Sequence, residues 1–197
     1  MTQNLALFDF DGTITSTDTF IKFIQFAKGS AKLFIGFALL SPYLILMKLK
    51  VYPNWKAKEK VMSFFFGGMS VSEFNRLGAS FAKNEIPKYV KDSAMERLKF
   101  HKTNEDKIII VSASFENWIS DWAKDHCDLL LATRVEVNEN KLTGKIMGAN
   151  CYGIEKVNRL KEVIDIDEFA TIHAYGDSRG DKEMLDLATY ANFRSFN

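Results

Sequence analysis

The segment "LFDFDGTIT" (7–15) sets two aspartates, Asp9 and Asp11, two residues apart in an apolar run, with Gly12 directly behind them. Side chains at i and i+2 of a strand point the same way, so two carboxylates leave the segment together. Burying adjacent anions is unfavourable unless a cation or hydrogen-bond donors compensate them. Asp177 and Asp181, in "YGDSRGDKEML", supply further carboxylates. Three or four of these around one point, with all-oxygen donors, call for Mg²⁺, which binds through few carboxylates, keeps waters and accepts phosphate oxygens. The implied ligand is a phosphate. Ser112, ending "IIIVS", offers a hydroxyl to a phosphoryl oxygen, and Lys156, in "YGIEK", can neutralise an aspartate and a phosphate together.

These groups must be brought together by a scaffold. Residues 4–10, "KIIIVSAS" (107–114), "LLLATRVEV" (129–137) and "TIHAYGDS" (171–178) read as strands, the first with the pattern of a strand buried on both faces. Helical patterns lie between them at 87–103, 115–127 and 154–164. The alternation predicts an α/β fold with a doubly wound, mainly parallel Rossmann-like sheet, whose polar strand ends converge at the C-terminal edge. Period-two alternation around "NEN" predicts a β-hairpin over 134–148, attached to that sheet. Residues 16–85 read as wholly helical, an inserted cap between a core made of 1–15 and 86–197.

"DFDGT", "VSAS", Lys156 in "GIEK" and "GDSRGD" resemble the four successive motifs of the haloacid dehalogenase (HAD) superfamily, in the helical-cap branch that includes phosphoserine phosphatase. The resemblance covers the whole core. It implies a phosphatase in which Asp9 is the nucleophile and forms an aspartyl-phosphate. Asp11 would protonate the leaving oxygen and then activate water. Asp9, the Asp11 backbone carbonyl and Asp177 would hold Mg²⁺, with Ser112 and Lys156 on the phosphoryl group and Asp181 supporting Lys156 or the metal. Asp18 matches, with a shorter side chain, a glutamate that binds the substrate ammonium in phosphoserine phosphatases, and Gly180 stands where they have asparagine. The chemistry needs these residue types in any case. An ionised carboxylate attacks phosphorus without a base once cations offset its repulsion from the phosphate. Its neighbour must begin protonated, which burial and an adjacent anion favour.

The 197 residues suffice for one domain with an insertion. With 26 basic and 25 acidic side chains, a net charge of +1 gives no reason to propose nucleic acid as a partner. That balance hides an asymmetry: residues 16–85 carry ten cations and four anions, net +6, leaving −5 for the rest. Cys127 and Cys151 lie in unrelated contexts and read as buried hydrophobes of a reducing compartment. His101, His126 and His173 belong to no motif and read as structural. "MTQNLALFDF" has no basic n-region, so the expected location is cytoplasmic, with membrane association as a second possibility.

That second possibility rests on "LFIGFALLSPYLILM" (33–47), fifteen residues without charge between Lys28 and Lys32 on one side and Lys48 and Lys50 on the other. The run is short of the roughly 20 residues that span a bilayer, and Ser41-Pro42 should break or kink a helix. It reads either as internal cap packing or as an apolar hairpin in the headgroup region of an anionic membrane. The expected substrate is accordingly a small phosphorylated, phosphoserine-like metabolite. The alternative is a lipid phosphate of the kind hydrolysed by phosphatidylglycerophosphate phosphatases, which this chain resembles in layout. A signalling receiver that is phosphorylated on aspartate is a further reading, which the inserted cap and the DxDGT spacing disfavour.

Overall fold

The computed structural model describes residues 3–196. The chain runs β1 (Leu5–Phe8), α1 (Thr19–Lys28), α2 (Ser30–Lys48), α3 (Asn54–Phe66), α4 (Val71–Asn84), α5 (Asp92–Thr103), β2 (Lys107–Phe115), α6 (Glu116–Ala123) and β3 (Leu129–Thr133). It continues through β4 (Val135–Asn138), β5 (Lys141–Ile146), α7 (Ile154–Val163), β6 (Ile172–Gly176), α8 (Lys182–Leu185) and β7 (Tyr190–Phe193).

Five parallel strands form one sheet in the order β3-β2-β1-β6-β7, as the alternation predicts. Strand β1 is central and buried on both faces: Leu5 and Leu7 join the apolar cluster that holds Leu160 and Met184 of α7 and α8, while Ala6 and Phe8 join the one that continues into the cap. A fully buried strand has no solvent face on which to place a charge, so the aspartates can only follow its end. Cys151 is buried and Cys127 half-buried, both as free thiols. His101 is buried and bonds Asp106 (2.7 Å) and Tyr175 (3.0 Å), which accounts for it structurally.

Helices α1–α4 form the cap. Two antiparallel crossings join it to the core: Ser16 N–H donates to Tyr89 C=O (2.8 Å) and Lys91 N–H to Ile14 C=O (2.9 Å), with Thr15 bridged to both Asp11 and Val90. The cap interior is aromatic, with Phe23 stacked on Phe66 and on Trp118 of α6 and edge-on to Phe74 and Phe81.

Two expectations are corrected. The apolar run is not broken at Pro42, because α2 continues through it. Proline lacks the N–H that would reach the carbonyl four residues back, and the Ser41 hydroxyl supplies that bond instead, donating to Ala38 C=O (2.8 Å). The hairpin β4–β5 forms around Glu139 and Asn140, both at positive φ as a tight primed turn requires, but it is a separate two-stranded sheet. It clamps the cap: Leu142 exchanges backbone bonds with Met69 and Gly68, Asn140 C=O accepts from Val71 N–H, and Ile146 N–H donates to the Glu59 carboxylate (3.0 Å). Leu142 and Ile146 are buried, which draws the hairpin towards the cap interior and away from the sheet edge.

Candidate active site

Asp9 follows β1 directly, its N–H donating to Tyr175 C=O (2.9 Å) so that the chain holds register with β6 for one residue past the strand. The side chain is buried; Oδ1 accepts from Lys156 Nζ (2.6 Å) and Oδ2 from the Thr13 hydroxyl (3.0 Å). Burial pushes its carboxyl up to about 7, aided by the charge of Asp181 and opposed by Lys156.

Gly12 makes the next step possible. Its φ is +82°, and a Cβ there would lie 2.4 Å from Asp177 Oδ2. Only glycine allows both the turn and the approach of that carboxylate.

Asp11 is held from two directions. Its Oδ1 accepts from the N–H (2.8 Å) and hydroxyl (2.6 Å) of Thr19, the first residue of α1, and its Oδ2 accepts from the Ser114 hydroxyl at the end of β2. Burial, and then the charge of Asp18, push the Asp11 carboxyl up to about 6 against these donors. Asp18 is exposed, caps α1 by accepting from Phe20 and Ile21 N–H groups, and borders the pocket.

Lys156, on the first turn of α7, is 1% exposed and reaches the centre from below. Its three N–H groups go to Asp9 Oδ1 (2.6 Å), Asp181 Oδ1 (2.6 Å) and Val111 C=O (2.7 Å). Burial alone would lower its pKa, but the charges of Asp9 and Asp181 hold it above the ordinary lysine value. Asp181, whose Oδ2 accepts from the Ser178 N–H and hydroxyl, is held below the usual carboxylate range by Lys156 despite its burial. Asp177 is half-buried and pushed up by burial and by Asp181. One carboxylate oxygen from each of Asp9, Asp177 and Asp181 lies within 4.8 Å of the others.

The residues singled out in the sequence therefore converge, with one displacement. Ser112 is fully buried, and its oxygen accepts from Ser114 N–H (3.0 Å), leaving its own proton to donate. The pocket wall beside it is formed by Ala113 and Ser114. Sequence reasoning passed over Ser114, although "VSAS" places it two residues after Ser112 in the strand period. It also missed Thr13 and Thr19, the hydroxyls on Asp9 and Asp11, and Lys58, which carries no signal among the cap's other lysines. Lys58, on α3, crosses from cap to core: its ammonium donates to Ala113 C=O and to Asn150 Oδ1 (3.1 Å) and lies 4.6 Å from the Phe115 ring centre. Burial pushes it down to about 8, against the charges of Asp11 and Asp18. A Cβ at Gly180 would meet the Tyr152 ring at 2.3 Å, so a larger residue there would have to displace that exposed side chain.

These groups open on a cavity of about 570 Å³. Its core side is polar, with Asp9, Asp11 and Asp177 at the floor, and its cap side is apolar, with Phe37, Leu44 and Met47 of α2 and Val61 of α3. None of the three histidines borders it.

Comparisons with known proteins agree with this arrangement. A curated relative, Protein CicA of Caulobacter vibrioides, is 33% identical over 196 residues, 98% of this chain and 86% of that protein. A crystal structure of a protein of unknown function from Bordetella pertussis Tohama I superposes with a TM-score of 0.82 at 22% identity, over 96% of this chain and 88% of that one. A phosphoserine phosphatase carrying an analogue of its phospho-aspartyl intermediate superposes with a TM-score of 0.68 at 19% identity, over 95% and 84%. Both superpositions bear on the fold. The family model of the haloacid dehalogenase-like hydrolases matches residues 6–186, from within β1 to just past α8, which takes in every site residue named above, and the chain belongs to that family.

Proposed function

We propose that the protein is a Mg²⁺-dependent phosphomonoester hydrolase that works through an aspartyl-phosphate on Asp9. The observation that carries this reading is the Lys156 ammonium held between Asp9 and Asp181 beneath an open cavity. It supplies a fixed positive charge that favours the ionised form of Asp9 and offsets the approach of a phosphate dianion.

The donor set fits a hard cation: all-oxygen ligands, with the carboxylates of Asp9 and Asp177 converging at the floor of the cavity. Asp9, the Asp11 carbonyl and Asp177 would hold Mg²⁺, which when bound polarises the phosphoryl oxygens and neutralises their charge. Asp9 attacks phosphorus as the P–O bond to the leaving group breaks. Asp11, protonated up to about pH 6, gives its proton to the leaving oxygen and afterwards takes one from the water that cleaves the acyl phosphate. Ser112 donates to the phosphoryl group, Lys156 acts on it chiefly as a charge because its donors are engaged, and Asp181 positions Lys156. Asp18 stands beside the leaving group.

The substrate expected from the family resemblance is a small phosphorylated, phosphoserine-like metabolite. The apolar cap wall of Phe37, Leu44 and Met47 favours a second reading, a phosphomonoester with an apolar body such as a lipid phosphate.

Pre-steady-state hydrolysis of 4-nitrophenyl phosphate with Mg²⁺ tests the mechanism. Asp9→Asn should release no nitrophenol. Asp11→Asn should give one equivalent in a burst and then turn over roughly 10²–10⁴-fold more slowly than wild type, because the phosphoenzyme awaits its base. Full activity in Asp9→Asn would exclude Asp9 as nucleophile, and a single turnover by wild type would favour a receiver.

A further inference from the structure

Residues 19–58, from α1 to the start of α3, contain seven lysines and no acidic residue. Within them α2 has a mean hydropathy of 1.7 and is only 11% buried. Gly36 and Leu40 are its buried residues, whereas Phe34 (73% exposed), Leu39 (63%), Ile35 (58%) and Ile45 (57%) face outward. Leu49 and Val51, past the helix end, and Trp55 of α3 are exposed as well. A water-soluble helix normally carries a polar stripe opposite its buried one, and α2 has none.

Charge selects what covers this face. A second copy of the chain packing symmetrically would set lysines against lysines with no acid to pair them, whereas an anionic surface complements them. Topology then fixes the orientation. At nineteen residues α2 is about 28 Å long, enough to approach the thickness of a hydrocarbon core. Its two ends, however, lead into α1 and α3, which both border the one cavity through Phe20 and Lys58, so they cannot lie on opposite sides of a bilayer. The helix must lie along a surface. It also borders the active-site cavity through Phe37, Leu44 and Met47.

We propose that α2 is an interfacial helix that seats the cap on an anionic bilayer, with Phe34, Ile35, Leu39 and Ile45 in the boundary between headgroups and acyl chains and Lys32 and Lys48 among the lipid phosphates. In this orientation α2 lies between the bilayer and the cavity, its lipid face opposite Phe37, Leu44 and Met47, which wall the site.

Flotation of the full chain with vesicles tests the proposal independently of hydrolysis, so a failure here leaves the phosphatase reading standing. Phosphatidylcholine vesicles with about 30% phosphatidylglycerol should carry the protein upward and pure phosphatidylcholine vesicles should not. The pairs Ile35→Glu/Leu39→Glu and Lys32→Glu/Lys48→Glu should each lower the bound fraction roughly tenfold, with circular-dichroism melts confirming that both are folded. Tryptophan emission should shift to the blue on binding, reporting Trp55, since Trp118 and Trp122 are already buried. Absence of binding to the anionic vesicles, or equal binding by the folded variants, overturns the proposal. So does a dimer in solution that the Ile35→Glu/Leu39→Glu pair dissociates, because a second copy would then cover the face.

Discussion

Burial pushes the Asp9 carboxyl up to about 7, while the Mg²⁺ proposed for the site needs the ionised form. Below that pH, binding of Mg²⁺ must displace a proton, so affinity should fall as pH drops from 8 to 5.5, by up to about tenfold per pH unit below the pKa. Calorimetry in two buffers of different ionisation enthalpy checks this through the protons released per ion bound; equal affinity at both pH values would contradict it. The aspartates were legible because a charge ending an apolar strand is rare enough to need a reason, and the strand period put Asp9 and Asp11 on one side. Lys156 was legible only with them. Thr13, Thr19 and Ser114 were not, since a hydroxyl near a strand end has many ordinary uses. Lys58 was hidden for the opposite reason, being one of many lysines in a basic segment.

Among the elements, the alternation of strands and helices foretold the parallel sheet because each strand's period and each helix's apolar stripe are local properties. The destination of the hairpin was not local. Its turn is written in "NEN", but whether Leu142 and Ile146 face the sheet or the cap depends on where α3 lies. Leu142→Ala should therefore destabilise the protein by about 2–5 kcal/mol in urea unfolding, as for a buried leucine elsewhere, while Val137→Ala on the exposed face should stay within about 0.5 kcal/mol. Equal effects would place the hairpin outside the folded core. The continuity of α2 was also illegible, because a proline rule cannot foresee that the preceding serine will satisfy the carbonyl the proline leaves free.

For the molecule as a whole, the separation of charge between cap (+6) and remainder (−5) sets a field that a net charge of +1 conceals. A phosphorylated substrate of the kind proposed would be drawn towards the cap, whose Lys58 lines the cavity. Raising ionic strength from about 20 mM to about 500 mM should accordingly lower kcat/KM for an aryl phosphate several-fold, while kcat changes little. Stopped-flow and steady-state measurements across that range check it; a fall in kcat alone would point to the chemistry instead. The loop after Asp9 ends where the cap begins, and the chain returns beside it at Tyr89–Lys91.

The bonds from Thr19 to Asp11 tie that boundary to the proton. Both donors favour the ionised carboxylate, and both sit on the first residue of a cap helix. Asp11 therefore answers to both parts of the fold, one of its oxygens held by Thr19 of the cap and the other by Ser114 of the core.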